Sequence, residues 1–378
     1  MVEITEKEKL SAMVLTRIDR FHPAGLLELY HRLGSATAVL EHKDNIRDVI
    51  PDASRYLIDG LKHIDEAQRR AEAELEYDQK HNISVLTFDD PRYPQRMKEC
   101  SDAPLVLYFL GNADLNQLHT INIVGTRRCT NYGKDIIRSF VRDLQKLCPN
   151  VLIFSGLAYG VDITAHCEAL VNGQDTVGVL AHGLDDIYPR AHRETAIYML
   201  KQGGLLTEYM THTEPFAKNF VRRNRIVAGC SDATILVESA AKGGGLITCS
   251  MARSYNREVF AFPGNVGSQY SEGCNKLIRD NGAALITSAY DFVHAMQWDN
   301  EVILRKAQKA GIQRDLFPDL SPDEKTLVNA LTTTNDQQLN TLTETTALSV
   351  SKLSSLLFEL ELKGIVKPLA GGIFHLIK

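Results

Sequence analysis

The chain has 378 residues, of which 44% are hydrophobic and 24% charged, and a formal net charge of −5. This composition fits two or three globular domains with sizeable cores, and the slight acidity excludes a uniformly basic coat, so any nucleic-acid site must be a local patch. Seven cysteines without a CxxC pair, a charged MVEITEKEKL start and no apolar run near ~20 residues leave no zinc site, no signal peptide and no membrane span; a cytoplasmic chain is expected.

Residues 1–80 read as a small all-helical module. Leu10, Met13, Val14 and Ile18 fall at helix spacing, FHPAG (Phe21–Gly25) turns the chain, and LLELYHRL resumes a helix. The HPAG turn, its helix and LGSATAVLE outline a helix-hairpin-helix or SAM-like module, although the phosphate-contacting glycine pair of such hairpins is incomplete. Ile64–His81, rich in Glu, Arg and Gln, is expected to be a solvated connecting helix.

Across 82–297, strand-like runs alternate with helical segments: ISVLTF, LVLYFLG, INIVG, VLIFSG, TVGVLAHG, GGLLTEY, ATILVES, EVFAFPG and AALITS. Continuous apolar runs suit strands covered on both faces, and the alternation predicts an α/β, doubly wound parallel sheet with right-handed crossovers. One intervening helix, KDIIRSFVRDLQKL, gathers Ile136, Ile137, Phe140, Val141, Leu144 and Leu147 on one face. Residues 298–320 change composition and read as a linker. In 321–378, Ser321, Pro322 and Glu324 form a helix start with a capping box, and a third helix over Ser349–Lys363 carries Leu353, Leu356, Leu357 and Leu360 before stopping at Gly364. IVKPL, a Gly371–Gly372 turn and IFHLI make a hairpin, completing a winged helix.

Three glycine-bearing turns follow strands and open helices: IVGTRR (Ile123–Arg128), FSGLAYGVD (Phe154–Asp162) and ESAAKGGGLIT (Glu238–Thr248). A parallel sheet opens all such turns at one edge, where small residues and helix N-termini admit phosphate. Gly125 allows close approach, and Arg127 and Arg128 supply guanidinium forks. Around Gly156, Ala158 and Gly160 the backbone amides and the Ser155 hydroxyl are expected to meet an anion, with Asp162 capping the helix. Asp162 and His166 are spaced as a metal or proton-transfer pair, but no third ligand or nucleophile accompanies them, and a capping aspartate beside a packed histidine accounts for both. Gly243, Gly244, Gly245 and Thr248 form a third cradle. It lacks the Gly-Lys-Ser/Thr of a Walker A loop, and no GxGxxG fingerprint is present. FPGNVGSQYSEGCNKLI (Phe262–Ile278) either closes one end of the crevice or is a structural turn.

AKNFVRRNR (Ala217–Arg225) places Lys218, Arg222, Arg223 and Arg225 within eight residues, interleaved with Phe216 and Phe220. Cations with rings between them suit an unpaired strand, whose phosphates are neutralised while a base stacks. Asn224 and Arg225 also fit a structural role, with Glu208 as partner. The winged helix lacks electrostatic footing for duplex DNA: Asp323–Lys378 holds five lysines and six acids, and its third helix sets only Lys352 and Lys363 against Glu359 and Glu361. A protein-contact or regulatory module is expected there.

In their order, IVGTRR, SGLAYGVDITAH, LAHGLDDIYPRAH, LLTEY, FVRRNRIVAGCSDATILVE, GGGLIT and FPGNVGSQYSEGCNKLI resemble the DNA-processing protein DprA (Smf) family of bacteria, over most of 85–297. The resemblance implies an extended Rossmann-like fold that binds single-stranded DNA, forms a homodimer and loads the RecA recombinase on incoming strands. It carries phosphate contacts to Arg127 or Arg128, Ser155, Gly156, Lys218, Phe220 and the third glycine loop. Gly243 departs from the family's usual serine, which removes a hydroxyl contact but not a backbone one. The reading is a non-catalytic strand binder without metal or cofactor. One alternative is a nucleotide-cleaving phosphoribohydrolase with Glu238 as acid, disfavoured because no PGGxGT-type motif or carboxylate pair is present. The other is a duplex-DNA regulator acting through the winged helix.

Overall fold

The computed structural model describes residues 5–18, 23–298, 320–363, 365–369 and 372–376. Phe21 of the FHPAG turn, nearly all of the expected linker, Gly364 and Gly371 lie outside the described residues. The chain divides into two compact units, Met1–Val302 and Ile303–Lys378.

The first unit begins with helices α1 (Glu6–Leu15), α2 (Pro23–Leu33), α3 (Ala36–Glu41), α4 (Ile46–Val49), α5 (Arg55–Lys62) and α6 (Asp65–Lys80). Helix α6 is not the solvated connector its composition suggests. Ala71, Glu74, Leu75 and Asp78 form a buried stripe at helix spacing. Glu74 pairs with Arg70 at 2.8 Å and accepts the Thr211 amide at 2.7 Å, so its burial is compensated by hydrogen bonds. The acids in that stripe disguise a buried face as a solvated one.

All nine expected strands form: β1 (Ser84–Thr87), β2 (Val106–Gly111), β3 (His119–Val124), β4 (Val151–Ser155), β5 (Thr176–Val179), β6 (Gly203–Thr207), β7 (Ala233–Leu236), β8 (Glu258–Ala261) and β9 (Ala284–Leu285). They join in the order β1-β2-β6-β5-β4-β3-β7-β8-β9. Pairings from β6 to β9 are parallel, while β2 runs antiparallel to both β1 and β6. The sheet is therefore mostly rather than wholly parallel. Between β1 and β2 lies only the single-turn helix α7 (Gln95–Lys98), too short to cover a sheet face as a crossover helix.

From β3 onward each strand is followed by a helix, in turn α8 (Asn131–Leu147), α9 (Val161–Val171), α10 (Arg193–Met199), α11 (Ala217–Gly229), α12 (Gly244–Ser254), α13 (Glu272–Arg279) and α14 (Ala289–Ala295). Alternate strand residues feed opposite layers, as period-two geometry requires. In β4, Val151 and Ile153 pack with Phe140 of α8 and Phe292 of α14, while Leu152 and Phe154 join Ile226 of α11 and Cys249 of α12. The second layer is continuous with Met13, Val14 and Leu15 of α1, so the N-terminal helices and the sheet share one core.

The second unit comprises α15 (Pro322–Thr333), β10 (Gln337–Gln338), α16 (Leu339–Thr346), α17 (Val350–Leu362), β11 (Val366–Leu369) and β12 (Ile373–Leu376), with strand order β10-β12-β11. The Ser321–Glu324 capping box forms, and Leu353, Leu356, Leu357 and Leu360 are buried. Both α17-region lysines are engaged internally, Lys352 with Asp323 at 2.5 Å and Lys363 with Glu324 at 2.7 Å.

Arg96 of α7 ties the amino ends of the central strands together. Its guanidinium meets both oxygens of Asp232, at 2.5 and 2.9 Å, and the carbonyls of Gln117 and Leu118, while Asp232 accepts the Thr120 amide at 2.9 Å. Replacing Arg96 with alanine should lower stability by about 1.5–3 kcal/mol, the range for hydrogen bonds to charged groups, read as a shift of the urea midpoint without a change in slope.

Candidate nucleic-acid interface

Strand order reverses at β3: β4, β5 and β6 follow on one side, and β7 to β9 lie on the other. The pairing of Val124 with Leu236 makes β3 and β7 end level, and their loops meet at this switch point. A Cβ on Gly245 would lie 2.7 Å from Leu236 and 3.2 Å from the Gly125 Cα. A Cβ on Gly125 would lie 2.6 Å from Val161 and 2.7 Å from the Glu238 carbonyl. Gly160, at φ +78°, has backbone of Thr126 and Arg127 where a side chain would stand. The segments around 127, 156, 220 and 244 thus share one edge of the sheet.

Two of the three glycine turns already hold a carboxylate of the protein. Glu238 is buried and accepts the Thr130 amide at 2.8 Å and the Thr130 hydroxyl at 2.6 Å, and Thr130 caps α8 through the Gly133 amide. This is a loop-pinning role, and it holds the Glu238 carboxylate buried against the Thr130 loop. Asp162 is not the cap of α9. It sits second in the helix, behind Gly160, and accepts the Ala158 amide at 3.3 Å. Burial pushes its carboxyl up, opposed by Arg223 and by the amides of Ala158 and Gly156. Ser155 is fully buried and donates to the Ile123 carbonyl at 2.7 Å, so its hydroxyl does not face solvent. His166 is fully buried against the Thr176 hydroxyl at 2.7 Å, and no hydrogen bond joins it to Asp162. Among the described residues, no group of three or more His, Cys, Asp or Glu could hold a metal ion.

The third turn and the start of α11 are different. Gly243 precedes α12 without a side-chain cap, Gly244 faces open space, and Thr248 is buried one turn on. Helix α11 also lacks a side-chain cap and has no acid in its first turn, where Lys218 stands exposed. Its amide ends and a cation face solvent together, an arrangement that favours an external anion.

The arginines of α11 divide by helix face. Arg225 is buried, bonded to Glu208 at 2.5 Å and to the Asp102 carbonyl at 2.6 Å. Arg223 lies beneath Gly156, donates to the Val179 carbonyl at 2.6 Å, and burial lowers its pKa to about 10. Neither presents a fork to solvent; Arg223 instead supports the second glycine turn from below. Asn224 is half-buried, and Arg222 is half-exposed, 3.4 Å from Glu208. On the open side, the Arg127 guanidinium lies over the Phe220 ring at 5.4 Å, with Arg128 exposed beside it.

Sequence reasoning missed Tyr188 and Tyr159. Tyr188 sits 5.8 Å from Phe220 and is half-exposed, its amide held by His182 at 3.3 Å. Tyr159 is half-exposed in the second glycine turn, edge-on to His192 at 4.8 Å. The aromatic next to Pro189, in a loop following a strand, was the available signal for Tyr188.

A family profile described as DNA recombination-mediator protein A matches residues 84–297. The chain belongs to the DNA recombination-mediator protein A family. A second profile, the DprA winged helix domain, matches residues 315–372. The chain is 34% identical over 326 residues to Protein Smf of Synechocystis sp., covering 79% of this chain and 81% of that one. Its fold is similar to the X-ray structure of DNA processing protein A from Streptococcus pneumoniae, with TM-score 0.65, 30% identity, and coverage of 78% and 98% of the two chains. It is also similar to DNA processing protein A from Helicobacter pylori, described for its single-stranded DNA binding mode, with TM-score 0.52, 29% identity, and coverage of 57% and 96%. The family's sheet domain thus contains every segment that meets at the rim. Among the described residues, no helix is long and apolar enough to cross a membrane.

His166 offers a check on this packing. Burial lowers its pKa to about 3, while an unfolded histidine titrates near 6.5, so the unfolded chain binds more protons between those values. Stability should fall as pH drops below about 6.5. Between pH 7 and pH 5 the loss should be about 1–2 kcal/mol larger in the parent than in His166→Gln, measured by urea unfolding at both pH values.

Proposed function

We propose that the protein binds single-stranded DNA along the rim where β3, β4 and β7 end, without catalysing a reaction on it. It hands the strand to a RecA-type recombinase and works as a homodimer in the cytoplasm, needing no metal or cofactor. Residues 1–80, 82–297 and 321–378 are its working divisions, with 298–320 connecting the last two. The Helicobacter pylori relative, described for single-stranded DNA binding, supports the choice of ligand.

The observation that carries the reading is the group at the mouth of the rim. Arg127 covers Phe220 at 5.4 Å, next to a helix start that carries Lys218 and no acid. A ring already paired with a guanidinium offers an unstacked base a platform, and the adjacent cations and uncapped amides take its phosphates. Arg128, Arg222 and the Gly244 amide extend that track, with Ala158 keeping the second turn low; Gly125, Gly156 and Gly245 let the loops pack closely beneath it, and the Gly243 amide is already bonded to the Ala240 carbonyl at 3.0 Å. Ser155, Arg223, Asn224, Arg225 and Thr248 act beneath the surface, holding the backbone that the strand touches.

Against nucleotide cleavage, Glu238 is buried with each carboxylate oxygen bonded to Thr130, pinning a loop. Against a duplex regulator, the lysines of the winged helix are paired with Asp323 and Glu324.

Fluorescence anisotropy with single and double strands of equal length, across a salt series, tests the reading. Single strands should bind more tightly, with log affinity falling by about 0.7 per log salt for each contacted phosphate. Arg127→Glu should flatten that slope by about one such increment, and Phe220→Ala should cost about 1–3 kcal/mol with little change in slope. Equal affinity for duplex, or an unaltered slope in Arg127→Glu, would refute the placement. A chain ending at residue 298 should keep its strand affinity.

A further inference from the structure

A cleft of about 480 Å³ lies between the N-terminal helices and the first turn of α11. One wall carries Arg17 and Leu26, the other Phe216, Lys218 and Arg222, with Tyr209 and Glu208 between them. The walls are fixed relative to each other. Arg70 of α6 donates to the Thr211 carbonyl at 2.7 Å, and Glu74 accepts the Thr211 amide at 2.7 Å, next to the cleft residue Met210.

The chemistry of the cleft is that of a nucleotide seat. Arg17 and Lys218 are exposed and, among the described residues, neither joins an ion pair. Arg222 reaches Glu208 only at 3.4 Å and stays half-exposed. Three cations from two separate parts of the chain thus face one space, and a single internal carboxylate lies behind them. The rest of the lining is mixed: Thr16, Thr213 and Asn219 add polar groups, Leu26 and Met210 are buried, and the Phe216 ring is 55% exposed. Side-chain hydroxyl and amide groups such as those of Thr16, Thr213 and Asn219 suit a nucleotide better than an aliphatic chain. Lys218 and Arg222 reach the cleft from the same helix that carries Phe220 to the rim, each two residues from it and so on another side of that helix.

We propose that this cleft seats one nucleotide of the bound single strand, its phosphate on Arg17 and Lys218 and its base against Phe216. The N-terminal helical module then forms part of the strand-binding surface. The inference rests on the reading above and extends the strand's path away from the glycine turns.

The test is anisotropy with oligo-dT strands of increasing length on the full chain, comparing Arg17→Glu, Arg17→Lys and Arg47→Glu. Arg47 is an exposed cation on α4 outside the cleft, so its reversal changes net charge equally. Arg17→Glu should weaken binding of long strands by about three- to tenfold and reduce the salt slope by about 0.7, while Arg17→Lys retains most of both. In the parent protein, 4-thiothymidine strands should photo-crosslink to the peptides containing Arg17 or Phe216. If the parent binds strands but Arg17→Glu behaves as Arg47→Glu and those peptides stay unlabelled, the cleft is not a seat. If the parent binds no strand at any length, the strand-binding reading itself fails, and the cleft proposal with it.

Discussion

At the switch point of the sheet, the backbone of the turn after β3 touches the backbone of the turn after β7. A Cβ on Gly245 would crowd the Gly125 backbone, a Cβ on Gly125 would strike Val161 and the Glu238 carbonyl, and Gly160 lets the turn after β4 press on Thr126 and Arg127. A larger residue at any of these positions would wedge the loops apart. The contact brings Arg127 to Phe220, aims the start of α12 outward, and sets Gly156 over Arg223. The positions of the cations and rings on the rim follow from this backbone packing.

Electrostatics then separates the turns that face inward from those that face outward. Parallel α/β topology points several helix starts at one edge, and each favours negative charge. The protein supplies its own carboxylate at two of them, Glu238 behind the Thr130 cap of α8 and Asp162 within the turn before α9. At α11 and α12 it supplies none, and at α11 it adds Lys218. Internal anions rigidify the first two turns, and the unfilled starts are left for an external one. The buried guanidinium of Arg223, bonded to Val179 and beneath Gly156, carries charge under the rim without leaving the core.

Much of the sheet was legible from the residues. The nine apolar runs are nine strands, and the Ser321–Glu324 capping box marks the start of α15 where its spacing places it. Two elements departed from the reading for identifiable reasons. Strand β2 runs antiparallel because α7 is one turn long, and strand direction leaves no mark on an apolar run. Helix α6 buries Glu74 and Asp78, and an acid that faces a partner, as Glu74 faces Thr211, looks the same in sequence as one that faces water.

The candidate site divides in the same way. Residue type and spacing determined that glycine turns, a cationic helix start and interleaved rings occur after strands, because these are properties of neighbours along the chain. Only the tertiary structure decided which of those groups reach solvent. Lys218 and Arg225 sit seven residues apart on one helix, yet one is exposed and the other lies against Glu208. Burial and partner choice depend on what other segments bring to the same place. Glu238 reaching Thr130 and Tyr188 reaching Phe220 are contacts between residues far apart in the sequence, and Arg17 and Lys218 line one cleft from distant segments.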